Sequence, residues 1–143
     1  MTRIVFEDVS KIYGDRPRQV QEAMALLRQN VPSDEIFART GCRVGLRHIS
    51  LVIPSGGIFC VIGLSGSGKS TLVRHINRLI EPSCGRIQAC DIDVTALDAR
   101  GLREFRRARV SMVFQHFGLL PHLTVMQNTC FGLRVRGLSA KEQ

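Results

Sequence analysis

The period of the apolar positions changes several times along this 143-residue chain, and each change marks an element. Ile4–Val9 is rich in β-forming residues between polar flanks, which predicts a strand that runs out into a turn at Lys11-Ile12-Tyr13-Gly14. Val20, Ala23, Met24 and Leu27 recur at helical spacing and predict a helix to Asn30. Pro32-Ser33 stops it, and Ser33 can start a second short helix through Ile36, Phe37 and Thr40, ended by Gly41. Residues 15–47 thus form a helical insert between strands. Ile49, Leu51 and Ile53 alternate with Ser50 and Val52, as in a strand over His48–Ile53.

Ile58–Ile62 is continuously apolar, the pattern of a strand buried on both faces. Leu72, Val73, Ile76, Leu79 and Ile80 predict a helix over Lys69–Ile80 with one inward face. Glu81–Gly85 reads as a turn, Arg86–Cys90 as a strand, and Ala96–Arg107 as a helix with Leu97, Leu102 and Phe105 inward. Val110–Phe114 predicts a short strand, Gly118–Thr124 a loop, and Thr124–Phe131 a helix. The alternation of the two patterns indicates an α/β fold.

Composition narrows the function. Apolar residues at 44% and charged residues at 22% suit a globular chain. Aromatics are only 6%, which argues against an RNA module that stacks bases on a sheet. No apolar run is long enough to span a bilayer, and the early acids Glu7 and Asp8 exclude a signal-peptide apolar region, so a cytosolic location is expected. The net charge of +8 favours an anionic partner. Arg100, Arg103, Arg106, Arg107 and Arg109 read as a solvated helix face, because no aromatics interleave for stacking, and nucleic acid is not expected. The five cysteines are widely spaced without a Cys-x-x-Cys pair, so free thiols are expected rather than disulfides or zinc.

Gly63-Leu64-Ser65-Gly66-Ser67-Gly68-Lys69-Ser70-Thr71 carries the chemistry. It matches the phosphate-binding loop Gly-x-x-x-x-Gly-Lys-Ser/Thr, between an apolar run and an amphipathic helix. Glycines let backbone N–H groups turn inward on an anion, and the helix adds its positive end. The Lys69 ammonium can reach the β- and γ-phosphates, and the Ser70 hydroxyl can ligate Mg²⁺. Gly63, Ser65, Gly66, Ser67, Gly68, Lys69, Ser70 and Thr71 are the candidate nucleotide-binding residues, with ATP and Mg²⁺ as ligands. A phosphate loop alone does not choose among kinases, GTPases, transport ATPases and helicases.

The surrounding residues resemble the ABC transporter ATPases, from about Ile4 to Gly137. Val61–Leu72 resembles that family's Walker A, Val110-Ser111-Met112-Val113-Phe114-Gln115 its Q-loop strand, and Leu120–Asn128 the segment that follows. The resemblance implies a P-loop core with a mixed sheet. It makes Gln115 a ligand for Mg²⁺ or a positioner of water, and Tyr13 a ring that stacks on adenine. The insert at 15–47, with His75-Ile76-Asn77-Arg78-Leu79-Ile80-Glu81-Pro82, is similar to the ATP-binding subunits of glycine betaine and proline betaine importers. The implied partners are membrane-spanning permease subunits and a second ATP-binding subunit, on the inner face of the plasma membrane.

Two departures stand out. Cys90-Asp91 occupies a turn where the family usually has an acid followed by Gly. After Gln115 no Leu-Ser-Gly-Gly signature, no apolar strand ending Asp-Glu (Walker B) and no switch His follows. The chain therefore reads as the N-terminal part of an ABC-type nucleotide-binding domain, truncated after the Q-loop region and unable to hydrolyse ATP alone. A P-loop phosphotransferase and a non-catalytic nucleotide- or RNA-binding protein are the alternatives.

Overall fold

A computed structural model describes residues 3–114 and 118–139. It divides into two compact units, residues 1–98 and 99–143.

The first unit is built on a four-stranded sheet in the order β2-β1-β3-β4. β1 is Ile4–Tyr13, β2 Arg43–Ile53, β3 Cys84–Ala89 and β4 Ile92–Asp93. Among the described residues every strand pairing is antiparallel, so the mixed sheet expected from the sequence is not observed. β1 is longer than its apolar pattern implied, and carries Lys11 and Tyr13 on the strand itself. β2 likewise starts at Arg43, so the insert consists of α1 (Pro17–Arg28) and α2 (Ser33–Thr40), with Arg43–Arg47 already in the sheet. Pro17 opens α1, where a missing N–H costs nothing, and Gly41 ends α2 in the left-handed conformation. The β1–β2 pairing is bulged near Asp8, where the Asp8 N–H turns to the Ser50 Oγ at 3.0 Å.

Two apolar clusters hold this unit. Ala23, Met24 and Leu27 of α1 and Ile36 of α2 pack on Ile12 and Cys42. Phe6 and Val9 of β1, Leu46 of β2 and Ile87 of β3 pack against Leu72 of α3, the helix Lys69–Ile76. Burying such a side chain contributes about 1.5–3 kcal/mol, so Leu72 seats the helix on the sheet.

Three expectations fail here. α3 stops at Ile76 rather than Ile80, because Arg78 adopts a positive φ of 51° and its guanidinium is drawn to the carbonyls of Val94 at 2.9 Å and Leu97 at 2.6 Å. Ile58–Ile62 is not a strand, and Ile58 and Ile62 are 96% and 92% exposed. Val110–Phe114 in the second unit is not a strand either, and Val113 is 97% exposed. An extended segment becomes a strand only when a neighbour takes its N–H and C=O groups, and neither run has one among the described residues.

In the second unit α4 spans Ala99–Ala108 and buries Phe105, while Arg100, Arg103, Arg107 and Arg109 are exposed. The helix expected over Thr124–Phe131 is broken into α5 (Val125–Thr129) and α6 (Phe131–Val135). Thr124 and Gln127 form a reciprocal capping box that starts α5.

Candidate nucleotide-binding site

The phosphate loop lies between two fixed objects, strand β2 and helix α3. Gly68 lies against β2. A Cβ there would stand 2.7 Å from the Gly45 carbonyl oxygen and 3.0 Å from a Leu46 methyl group. Its φ of 90°, with 80° at Gly66, belongs to the left-handed region that side chains resist. Gly68 is also the N-cap of α3, and no side chain caps the first amides of that helix. The loop therefore delivers the positive end of α3 to its own mouth. Gly63 closes the other end, where an added Cβ would stand 2.7 Å from the Ser67 hydroxyl.

Lys69 bends back over this loop. Its ammonium donates to the carbonyls of Gly63 at 2.8 Å and Leu64 at 2.6 Å, and to the Ser67 Oγ at 3.5 Å. The cation is thus held above the turn that Ser67 N–H closes on the Leu64 carbonyl at 3.2 Å. Ser70 lies exposed in the first turn of α3. No group of three His, Cys, Asp or Glu among the described residues could hold a metal, so a Mg²⁺ ion here would depend on the Ser70 hydroxyl and on phosphate oxygens. A cradle of glycines, an uncapped helix start and a fixed ammonium suits a polyphosphate and its cation.

Tyr13 joins the loop from β1. Its hydroxyl meets the Thr71 Oγ1 at 3.3 Å, and the residue is 40% exposed. Two neighbours that sequence reasoning missed fix that ring. The Lys11 ammonium stands 5.2 Å from the ring centroid, and Gly45 lies so close that a Cβ there would be 2.5 Å from the ring Cε2. The Lys11-x-Tyr13 spacing on one strand was the available signal, since alternate residues share a face. Gly45 left no local signal.

Behind Thr71, His75 is fully buried. Its Nδ1 meets the Thr71 carbonyl at 2.6 Å, and its Nε2 has no partner. Burial pushes the His75 pKa below its ordinary value, the Thr71 carbonyl opposes that, and Lys11 adds to it while Glu81 works against it. Lys11 is also drawn down by burial, against the pull of Glu81. Its ammonium donates to the Glu81 carbonyl at 2.7 Å, and the Glu81 carboxylate takes the Arg78 Nε–H at 2.7 Å.

The Gln115 expectation lies outside the described residues, as do His116 and Phe117. Within the second unit, Asn128 organises the loop that follows them. Its Oδ1 accepts the Leu120 N–H at 2.9 Å, and its Nδ2 donates to the carbonyls of Leu120, Leu123 and Thr124 at 3.2, 3.1 and 3.0 Å. This latch leaves an apolar groove between Leu119, Leu120, Pro121, Leu123 and Val125.

The ABC transporter family model matches residues 46–143. The glycine betaine/proline betaine transport system ATP-binding protein ProV of Escherichia coli (strain K12) is 41% identical over 141 residues, covering 99% of this chain and 34% of that protein. The methionine import ATP-binding protein MetN of Xanthomonas euvesicatoria pv. vesicatoria (strain 85-10) is 52% identical over 99 residues, 69% of this chain and 29% of that protein. The chain thus spans about a third of the length of these curated relatives. Among solved structures, a dimeric post-hydrolysis state of the ATP-binding cassette MJ0796 bound to ADP and Pi is similar. Its TM-score is 0.74 at 26% identity, over 97% of this chain and 51% of that one.

Proposed function

This chain belongs to the ABC transporter family, and from that premise we propose that it is the ATP-binding part of an ATPase subunit that energises import of glycine betaine- or proline-type osmoprotectants. The observation that carries the nucleotide reading is Lys69, whose ammonium is held over a loop closed by Gly63 and Gly68 at the uncapped start of α3. Lys69 and the loop amides would hold the phosphates, Ser70 and Gln115 the Mg²⁺, and Tyr13 the base. Bound Mg²⁺ would offset phosphate charge.

The osmoprotectant reading is supported by the reach of the similarity. The alignment to the betaine protein takes in nearly all of the chain, the 15–47 insert included, whereas the methionine importer aligns over 99 residues. No helix among the described residues is long and apolar enough to cross a membrane. A permease partner would hold the chain at the cytoplasmic face, and a second ATP-binding subunit would complete the site. The groove that Asn128 organises supports the segment near Leu119 and Leu120 as the surface that meets the permease.

The 143 residues by themselves bind ATP without turning it over, because they hold no Asp-Glu after an apolar strand to serve as general base. Calorimetric titration with Mg-ATP, and phosphate release over hours, test this in the purified chain. Lys69→Ala should weaken binding about 10- to 100-fold, as expected for loss of a charge-assisted contact. Equal affinity in wild type and variant would overturn the site. In cells, the same substitution should abolish uptake of labelled glycine betaine after osmotic upshift, and unchanged uptake would overturn the transport role.

A further inference from the structure

We propose that Lys11 is a positioning residue for the nucleobase, acting through Tyr13. The assignment rests on the ATP-binding reading of the phosphate loop and adds to it the device that aims the ring. The Lys11 ammonium stands 5.2 Å over the Tyr13 ring and is itself tied to the Glu81 carbonyl at 2.7 Å. The tyrosine hydroxyl is tied to Thr71, one residue past Ser70 in the phosphate loop motif, at 3.3 Å. Gly45 supports the ring edge, and any side chain there would displace it. The ring is thus fixed by a cation on one face, a backbone at its edge and a hydroxyl at its tip. A planar base stacks on the other face.

The tether at Glu81 has its own anchor. Arg78 binds the Glu81 carboxylate and reaches the carbonyls of Val94 and Leu97, so the residues after α3 form a rigid seat for Lys11. A cation held over an aromatic face is attractive, more so when partly desolvated as Lys11 is. The base-dependent share of ATP affinity therefore depends on Lys11, while the triphosphate-dependent share belongs to the phosphate loop.

Tyr13 is the chain's one tyrosine and tryptophan is absent, so its fluorescence reports this ring alone. The experiment titrates wild type, Lys11→Met, Lys11→Arg and Gly45→Ala with Mg-ATP and with Mg-tripolyphosphate, which lacks the base. Lys11→Met should weaken ATP about 2- to 10-fold, the range of a partly exposed cation–π contact, and leave tripolyphosphate unchanged. Lys11→Arg should restore both. Gly45→Ala should also lower ATP relative to tripolyphosphate, with Lys11 intact, and should alter the ATP-induced change in Tyr13 fluorescence. An equal loss for both ligands in Lys11→Met would mean a merely structural role and overturn the proposal, as would ATP affinity equal to wild type. Failure of wild type to bind either ligand would instead overturn the nucleotide reading itself, and the assignment with it.

Discussion

Tyr13 and Thr71, 58 positions apart in sequence, meet through their hydroxyls at 3.3 Å. The contact joins the end of β1 to the first turn of α3, and so joins the aromatic ring to the phosphate loop. The pair places a planar ring beside the glycine-rich turn at the start of α3, the juxtaposition on which the proposed nucleotide site rests.

That pair can be tested directly. Thr71→Val keeps the shape of the side chain and removes its hydroxyl. A neutral hydrogen bond contributes about 0.5–1.5 kcal/mol net, so ATP affinity should fall about 2- to 10-fold. Calorimetry reads the loss, and Thr71→Ser should recover most of it. An unchanged affinity would show that the contact does not hold the ring for the base.

The exposed run at Ile58–Ile62 predicts association. Ile58 and Ile62 project almost fully into solvent, and Leu64 beside them is 85% exposed. Contiguous apolar surface of this kind favours self-association. Sedimentation velocity of the 143-residue chain should show concentration-dependent oligomers, and the double substitution Ile58→Lys with Ile62→Lys should shift it toward monomer. Oligomers unaffected by the double substitution would place the sticky surface elsewhere.

The β3–β4 hairpin carries strain that substitution can remove. Ala89 faces Ile92 and Gln88 faces Asp93, so Cys90 and Asp91 form a two-residue turn, with φ of 55° and 61°. Two left-handed residues make the turn that favours Asn-Gly. Replacing Cys90→Asn together with Asp91→Gly should raise the unfolding free energy by about 1–2 kcal/mol. Urea denaturation measures it, and a lower midpoint would refute the account.

His75 predicts an acid sensitivity whose sign is fixed by its burial. Its folded pKa lies below the ordinary value near 6.5, so between those two values the unfolded chain binds the proton that the folded chain refuses. Its contribution to stability is full above about pH 6.5 and is lost as pH falls below it. The groups that face it are the Thr71 carbonyl, Lys11 and Glu81. His75→Leu should flatten the fall in stability between pH 7.5 and 5.5, whatever it does to stability at neutral pH. Equal slopes in wild type and variant would exclude His75 as the source.

Local chemistry alone made several elements legible. Ser33 and Gly41 mark helix limits by constraints that act within a few bonds, and α2 sits where they put it. α1 covers the periodic apolar residues Val20, Ala23, Met24 and Leu27 but starts earlier, at Pro17, and ends at Arg28 rather than Asn30. The glycine-rich turn before α3 was legible for the same reason, since Gly66 and Gly68 act on the backbone beside them. Ile58–Ile62 and Val110–Phe114 were not, because apolarity states a demand for burial while a strand needs hydrogen-bonding neighbours drawn from elsewhere in the chain. The aim of Tyr13 was equally out of reach. It depends on Gly45, Thr71 and Lys11 with its anchor at Glu81, which folding alone brings together across 70 positions.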